Sequence, residues 1–296
     1  MVVTLVDGGD QLRHCLTALA EQAGAPPLEV LIPYDDSVGD LGALRNEFSG
    51  FQFIALGPVA TERRSDSAAG QHELFDRRRA AALAVATGEI VAMLEDRGVP
   101  RPEWAATLRE LHGRHPHEVI GGAVDWAGQG VLSWAVYACD FGRYASVHSE
   151  GAREFLTDCN LSYKRRALDA TRSLWGERYH ETQVHDQLRR DGVVLWFSPD
   201  AVVEEARAGL RLVPLLTERI AWGRLYGAIR LTGAPTGRRW LQAMTAAVLP
   251  LLLYWRIVRR HAGRTPGRLV RATPALLLLL AAWTLGECAG YLTGEP

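Results

Sequence analysis

Arg79-Ala80-Ala81-Ala82-Leu83-Ala84-Val85-Ala86-Thr87-Gly88-Glu89-Ile90-Val91-Ala92-Met93-Leu94-Glu95-Asp96 decides the fold of this 296-residue chain. Its first half is an Ala-rich helix, beginning at Arg78 and closed by Gly88, the residue best suited to the turn beyond a helix end. Its second half, Glu89–Leu94, is a short apolar run that reads as a strand. The strand exits into two carboxylates, Glu95 and Asp96, followed by Arg97, Gly98 and Pro100.

Outward from this stretch the same alternation repeats. Val2–Val6 is an apolar run ended by Asp7-Gly8-Gly9, and Leu12, Leu16, Leu19 and Ala20 recur at helical spacing. Leu28–Pro33 is a second strand, leading into Tyr34-Asp35-Asp36-Ser37, and Phe51–Leu56 a third. Downstream, Val119–Val124 and Val193–Phe197 read as strands. Leu132–Tyr144, Leu168–Leu174, Glu181–Asp191 and Arg207–Leu231 read as helices. Strands alternating with helices predict an α/β fold whose mainly parallel sheet carries helices on both faces. Open sheets of this kind bind ligands beyond the carboxyl ends of their strands. Two such ends carry acidic pairs here, Asp35–Asp36 and Glu95–Asp96.

Composition removes several classes of function. A formal net charge of -1 argues against nucleic acid as partner. The basic residues are nearly all arginine, Lys164 being the only lysine. Cys15, Cys139, Cys159 and Cys288 stand far apart without metal-ligand spacing, which predicts buried free thiols. The first residues lack a basic region and a long apolar run, so no signal peptide is expected and the sheet-forming part belongs in the cytosol.

The tail differs in character. Trp240–Val258 and Pro274–Leu292 are strongly apolar and each is about long enough to cross a bilayer. Between them lie Arg256, Arg259, Arg260, Arg264, Arg268 and Arg271. A two-span hairpin would put these six on the far side of the membrane, against the positive-inside tendency. Helices lying in or dipping into the cytoplasmic leaflet keep them beside anionic lipid, and Pro250 and Glu287 also weigh against plain spanning segments, so this is the preferred reading, with two full spans and a buried core hairpin as the alternatives. The expected organisation is a nucleotide-binding domain over 1–205, an Arg-rich amphipathic helix over 206–239 and a membrane-associated helical hairpin over 240–296, at the cytoplasmic face of the plasma membrane.

The order of these features resembles family-2 glycosyltransferases of the GT-A fold. Residues carrying the resemblance are the Asp35–Asp36 strand end, Arg79 through Glu95-Asp96 with Pro100 and Trp104, the segment Cys159-Asn160-Leu161-Ser162-Tyr163-Lys164-Arg165, and His180-Glu181-Thr182 with Leu188-Arg189-Arg190-Asp191-Gly192. It covers residues 1 to about 230 and lies in order and spacing rather than in any one motif. Two positions depart from the family: Val6-Asp7-Gly8-Gly9 follows the first strand, and Arg97 stands where the Asp-x-Asp motif has its last acid.

The resemblance implies a transferase that moves a sugar, with inversion, from a nucleotide-diphosphate sugar to a lipid-linked or surface-polysaccharide acceptor. Glu181 would be the general base. Asp35, Asp36, Arg79, Glu95, Asp96 and Arg97 would bind the nucleotide; Asp7, where the chain departs from the family, is either a contact for the base or simply part of a turn. Glu95 and Asp96 would hold a divalent metal, Mg²⁺ or Mn²⁺, and Arg97 would pair with the diphosphate. Asn160, Arg219 and Trp222 would meet the acceptor. Ala221 before Trp222 breaks the Gln-x-x-Arg-Trp signature of processive synthases, which implies single-sugar transfer. His180 and His185 are open as metal ligands or as half-exposed polar side chains. Trp126, Trp134, Tyr137, Phe141 and Tyr144 are core or a stacking surface, core by preference. A non-catalytic nucleotide-sugar-binding subunit of a polysaccharide assembly complex is the alternative.

Overall fold

The computed structural model describes residues 1–6, 8–207, 209–231 and 233–295; Asp7, the proposed base contact, lies outside them. The elements run β1 (Val2–Thr4), α1 (Gly9–Ala20), β2 (Leu31–Tyr34), α2 (Gly42–Glu47), β3 (Gln52–Ala55), α3 (Ala68–Val85), β4 (Ile90–Glu95), β5 (Gly98–Pro100) and α4 (Trp104–Arg114). Then follow β6 (Val119–Trp126), α5 (Gly130–Asp140), β7 (Gly151–Ala152), β8 (Asn160–Lys164), α6 (Arg165–Ala170), α7 (Arg172–Trp175), α8 (Glu181–Arg190) and β9 (Leu195–Glu205). The remainder is helical: α9 (Leu212–Arg230), α10 (Thr236–Ala246), α11 (Leu249–His261) and α12 (Pro266–Thr293). By contacts the chain divides into a sheet unit (Met1–Ala60, Glu73–Ala127, Tyr144–Glu205) and a helical unit (Thr61–His72, Gly128–Arg143, Ala206–Pro296).

The α/β class is as expected, a central sheet flanked by helices with an apolar helical tail. Strand order is β3-β2-β1-β4-β8-β6-β9-β5, with β7 added against β9. The strands β1 to β4 pair parallel. Beyond β4 the sheet turns mixed, because β8 runs antiparallel to both β4 and β6. Its segment carried no periodic signal strong enough to read as a strand. The predicted helix at Leu168–Leu174 is likewise two short helices, α6 and α7. Core packing follows the apolar periods: Leu12, Cys15, Leu16 and Leu19 of α1 are buried with Val3, Leu5, Ile32, Leu94 and Trp104. All four cysteines are free thiols.

A bulge sets the middle of the sheet. The β6–β9 register shifts between Gly121 and Ala123. The Asn160 amide fills the irregularity, its Nδ2 donating to the carbonyls of Ala123 (2.7 Å) and Ala201 (2.9 Å) while its Oδ1 accepts from Trp104 Nε1 (3.0 Å). Gly122 leaves the room for it: a Cβ there would stand 2.4 Å from Asn160 Nδ2 and 2.3 Å from the Ala201 oxygen. Buried backbone carbonyls need partners, and this side chain supplies them.

In the helical unit, α9 and α12 pack backbone to backbone. Gly223 and Gly227 face Trp283 and Glu287, while Gly286 and Gly290 face Ile220 and Arg224; a Cβ on any of the four would come within 2.4 Å of a carbonyl oxygen. Paired Gly-x-x-x-Gly stripes permit this approach. Arg207–Leu231 therefore contributes a helix, α9, with one face committed to α12 rather than a surface helix with a wholly free apolar side. Along α12, Trp283, Glu287 and Tyr291 recur every four residues. Buried Glu287 accepts from Trp283 Nε1 (3.1 Å) and the Tyr291 hydroxyl, with Arg230 at 3.5 Å. Trp134 and Tyr137 of α5 and Tyr144 are buried, so the aromatic stretch is largely core.

Candidate active site

The site is built where β4 ends. Parallel register sets Thr4 of β1 beside Glu95, and antiparallel register sets Asn160 of β8 beside Leu94. Asp158, two residues ahead of Asn160, is thereby delivered to the side of Glu95. One guanidinium ties these strands to α3. Arg79, 4% exposed, donates from Nε to Thr4 Oγ1 (3.1 Å) and from one terminal nitrogen to Asp158 (2.6 Å) and Glu95 (3.2 Å). Its other terminal nitrogen is 3.8 Å from Asp76, three residues earlier on the same helix face. A buried guanidinium is tolerable only with such a set of partners.

Four carboxyl groups thus share one neighbourhood: Glu95, Asp158, Asp76 and Glu181. Burial is the main force raising the Glu95 carboxyl above its ordinary value. Asp158 adds to the shift, while Arg79 and Arg97 oppose it. Asp76 is pushed up to about 8, again first by burial and against the pull of Arg79, which stands 3.8 Å away. Glu181, the first residue of α8, is pushed up to about 7 by burial and then by the charge of Asp158, against the pull of Arg79. A carboxyl tuned to that range exchanges protons readily at neutral pH.

Behind Glu181 runs a buried hydrogen-bonded chain. Tyr163 of β8 bonds Tyr179 (2.6 Å, hydroxyl to hydroxyl) and His185 Nε2 (2.7 Å). His185 sits one turn along α8 from Glu181 and is 3% exposed, which corrects the half-exposed reading of this residue. Burial lowers its pKa to about 4, so it is neutral and serves to fix α8 on the sheet. His180 immediately precedes the helix and is half-buried, its pKa lowered by burial.

Other expected residues are placed differently. Asp96 is fully buried and accepts from the Gly8 backbone N–H at 2.6 Å. It fastens the loop after β1, where Gly8 has φ 68°. Asp35 is 2% exposed, with one oxygen on Arg78 Nε (2.6 Å) and the other on the Ser37 N–H (2.8 Å). Arg78 also donates to the Leu5 carbonyl (2.9 Å) and Ser37 Oγ (3.0 Å). Asp35 is therefore a brace between strand ends, held below its usual range mainly by Arg78 and Ser37 against burial. Asp36, next to it, is exposed at the end of β2. Asn160 is a fully buried core side chain whose amide donors are on the Ala123 and Ala201 carbonyls. In the helical unit, Arg219 is engaged by a two-pronged pair with Asp140 (2.6 and 2.6 Å). Trp222 lies 6.0 Å from the His72 ring.

Sequence reasoning missed Asp158, Asp76 and Arg78. The signal for Asp76 and Arg78 was present: on a helix, Asp76 is one turn from Arg79, and Arg78 adjoins it. Asp158 announced itself only as the residue before Cys159.

Glu95, Asp158 and Cys159 present donor atoms within 4.8 Å of one another. Arg79 already meets both carboxylates, and burial holds the Cys159 thiol well above its ordinary pKa. What remains for a divalent cation is the free lone pairs of two carboxylates. That set suits an ion shared with a phosphate ligand and waters, not one caged by protein alone.

No family model matches the chain, and no curated protein matches it. Among solved structures it is similar to the mannosyltransferase PcManGT from Pyrobaculum calidifontis in complex with GDP-Man and Mn²⁺, at 17% identity over 97% of this chain and 86% of that one, with a TM-score of 0.48. A likeness so distant lends no weight to any single residue.

Proposed function

We propose that the chain transfers a sugar from a nucleotide-diphosphate sugar to a hydroxyl acceptor, with inversion and with Glu181 as general base. The observation that carries this reading is a half-buried carboxyl tuned to about 7, at the start of α8, in one cluster with Arg79, Glu95 and Asp158 at the strand ends. The nucleoside lies over the exposed Asp36 at the end of β2. The acceptor hydroxyl attacks the anomeric carbon, the bond to the diphosphate oxygen breaks, and the hydroxyl proton passes to Glu181. Arg97, whose positive charge bears on Glu95, faces the departing diphosphate. A divalent cation, when bound at Glu95 and Asp158 together with the diphosphate, supplies further neutralisation of the leaving charge. A lipid-linked or surface-polysaccharide acceptor fits a chain with an apolar helical tail.

Because a base must be deprotonated to act, kcat/KM should rise with pH through a midpoint near 7 and level off above it. A profile flat between pH 5.5 and 8 would remove Glu181 from that role.

A further inference from the structure

The helices α10 and α11 meet at a 51° bend around Ala247 and Val248. One apolar stripe continues across the break: Trp240, Met244, Val248, Leu251 and Trp255 follow one another at steps of four, four, three and four residues. These are not core positions. Met244 is 72% exposed, Leu251 69%, Val248 62% and Trp255 57%. A tryptophan stands at each end of the stripe. Between Glu218 and Glu287 the chain carries eleven arginines and not one Asp or Glu. Arg238 on one flank and Arg256, Arg259, Arg264, Arg268 and Arg271 on the other are exposed.

The most apolar helix, α12, is differently occupied. Among the described residues it is the one single helix long and apolar enough to cross a bilayer, the bent α10–α11 pair reaching that measure only when its two helices are taken together, yet a face of it is closed on α9 by the four glycines and by Glu287. Exposed apolar side chains also stand on α9 and α12, Val213, Val270 and Leu285 among them, but the stripe that continues across two helices is that of α10 and α11.

We propose that the α10–α11 stripe docks on an anionic lipid surface, lying in the plane of the headgroups. The inference is independent of the sugar-transfer reading. A large apolar stripe bounded by tryptophans suits the acyl–headgroup boundary, where an amphipathic ring has its apolar body buried and its N–H wet. Arginines on both flanks, with no acid in the same stretch, supply the charge complementary to lipid phosphates. The bend lets two short helices follow one plane, whereas a straight span would need one unbroken helix. A protein partner would also require acidic groups to answer this many arginines, while an anionic membrane supplies them everywhere.

The test is flotation of the full chain with vesicles of phosphatidylcholine alone and with phosphatidylglycerol added, in low and high salt, beside the double variant Met244→Glu/Leu251→Glu. Both positions are exposed, so the variant should keep the wild-type melting temperature, which is measured in parallel. The expected result is partitioning about tenfold stronger on anionic vesicles, weakened by salt and reduced about tenfold or more in the double variant. Tryptophan fluorescence should be quenched best by bromines near the headgroups. Three results overturn the proposal: equal partitioning of variant and wild type, quenching deepest at the bilayer centre, or wild type left unbound as a dimer that the double variant dissolves.

Discussion

Glu181→Gln should leave donor affinity within about threefold of wild type and lower kcat by about 10²–10⁴, the contribution typical of a positioned general base. Gln keeps the shape and hydrogen-bonding reach of the side chain but cannot take up a proton. Direct measurement of transfer and of donor binding on the same preparation separates the two effects. Donor affinity lost together with rate would assign Glu181 to the nucleotide pocket.

The same substitution should stabilise the protein, in a pH-dependent way. Glu181 is held at about 7 when folded against an ordinary 4.5. A carboxyl raised on folding contributes its stability below the unfolded value and loses it as pH rises through the folded one. The neutral Gln escapes that loss. At pH 8 the variant should gain up to about 3 kcal/mol, from roughly 1.4 kcal/mol per pKa unit, and the gain should vanish near pH 4. Stability withheld in favour of a reactive group is a common feature of active sites.

Arg79→Met should be the most damaging single change in the sheet unit. It removes the guanidinium bonded to both Glu95 and Asp158, and leaves those carboxylates without it in a buried cluster with Asp76. Breaking a buried pair in this way costs about 3–5 kcal/mol. For a chain of this size that lowers the melting temperature by about 5–8 °C. The sign with pH follows from the charges left behind: without Arg79 the carboxylates hold their protons more tightly, so the loss should be largest at pH 8 and smaller at pH 5.5. Arg79→Lys keeps the charge but lacks the planar fork that reaches Thr4, Glu95 and Asp158 together, and should fall between. A melting temperature unchanged in Arg79→Met at pH 8 would mean that the cluster is not held by this residue.

How far the sequence carries can be judged residue by residue. The helix opening at Glu181 was legible because its acid, its Leu188 and its closing Gly192 follow local rules of helix start and stop. The parallel half of the sheet was legible for the same reason. The internal bonds of Asp35 and Asp96 were not legible, because a carboxylate at a strand exit looks alike whether it faces a ligand or an internal donor. Their partners, Arg78 and the Gly8 amide, are 43 and 88 residues away along the chain. The bonding of Asn160 was hidden for a related reason: its partners are carbonyls exposed by a bulge, and a bulge leaves no mark in composition. Asp158 became visible only through the antiparallel pairing of β8 with β4, a long-range contact that no local pattern encodes.

The membrane reading changed in a similar way. Two apolar stretches in the sequence looked equivalent, but one became the glycine-packed partner of α9 and the other a bent pair of helices with an uncovered stripe. Length and hydropathy did not distinguish them; the backbone contacts of four glycines did.

The central claim is that the strand ends around Arg79, Glu95 and Asp158 receive a nucleotide-diphosphate sugar. Its most direct test is a thermal-shift screen of the full chain against UDP-, GDP- and TDP-sugars, each with and without Mn²⁺. A ligand at a hundred times its Kd stabilises the folded state by about 2.7 kcal/mol, a shift well within reach of the method. The expected result is one donor class that raises the melting temperature of wild type and Glu181→Gln alike and fails to do so in Arg97→Asp. No shift with any donor, in either metal condition, would contradict the claim.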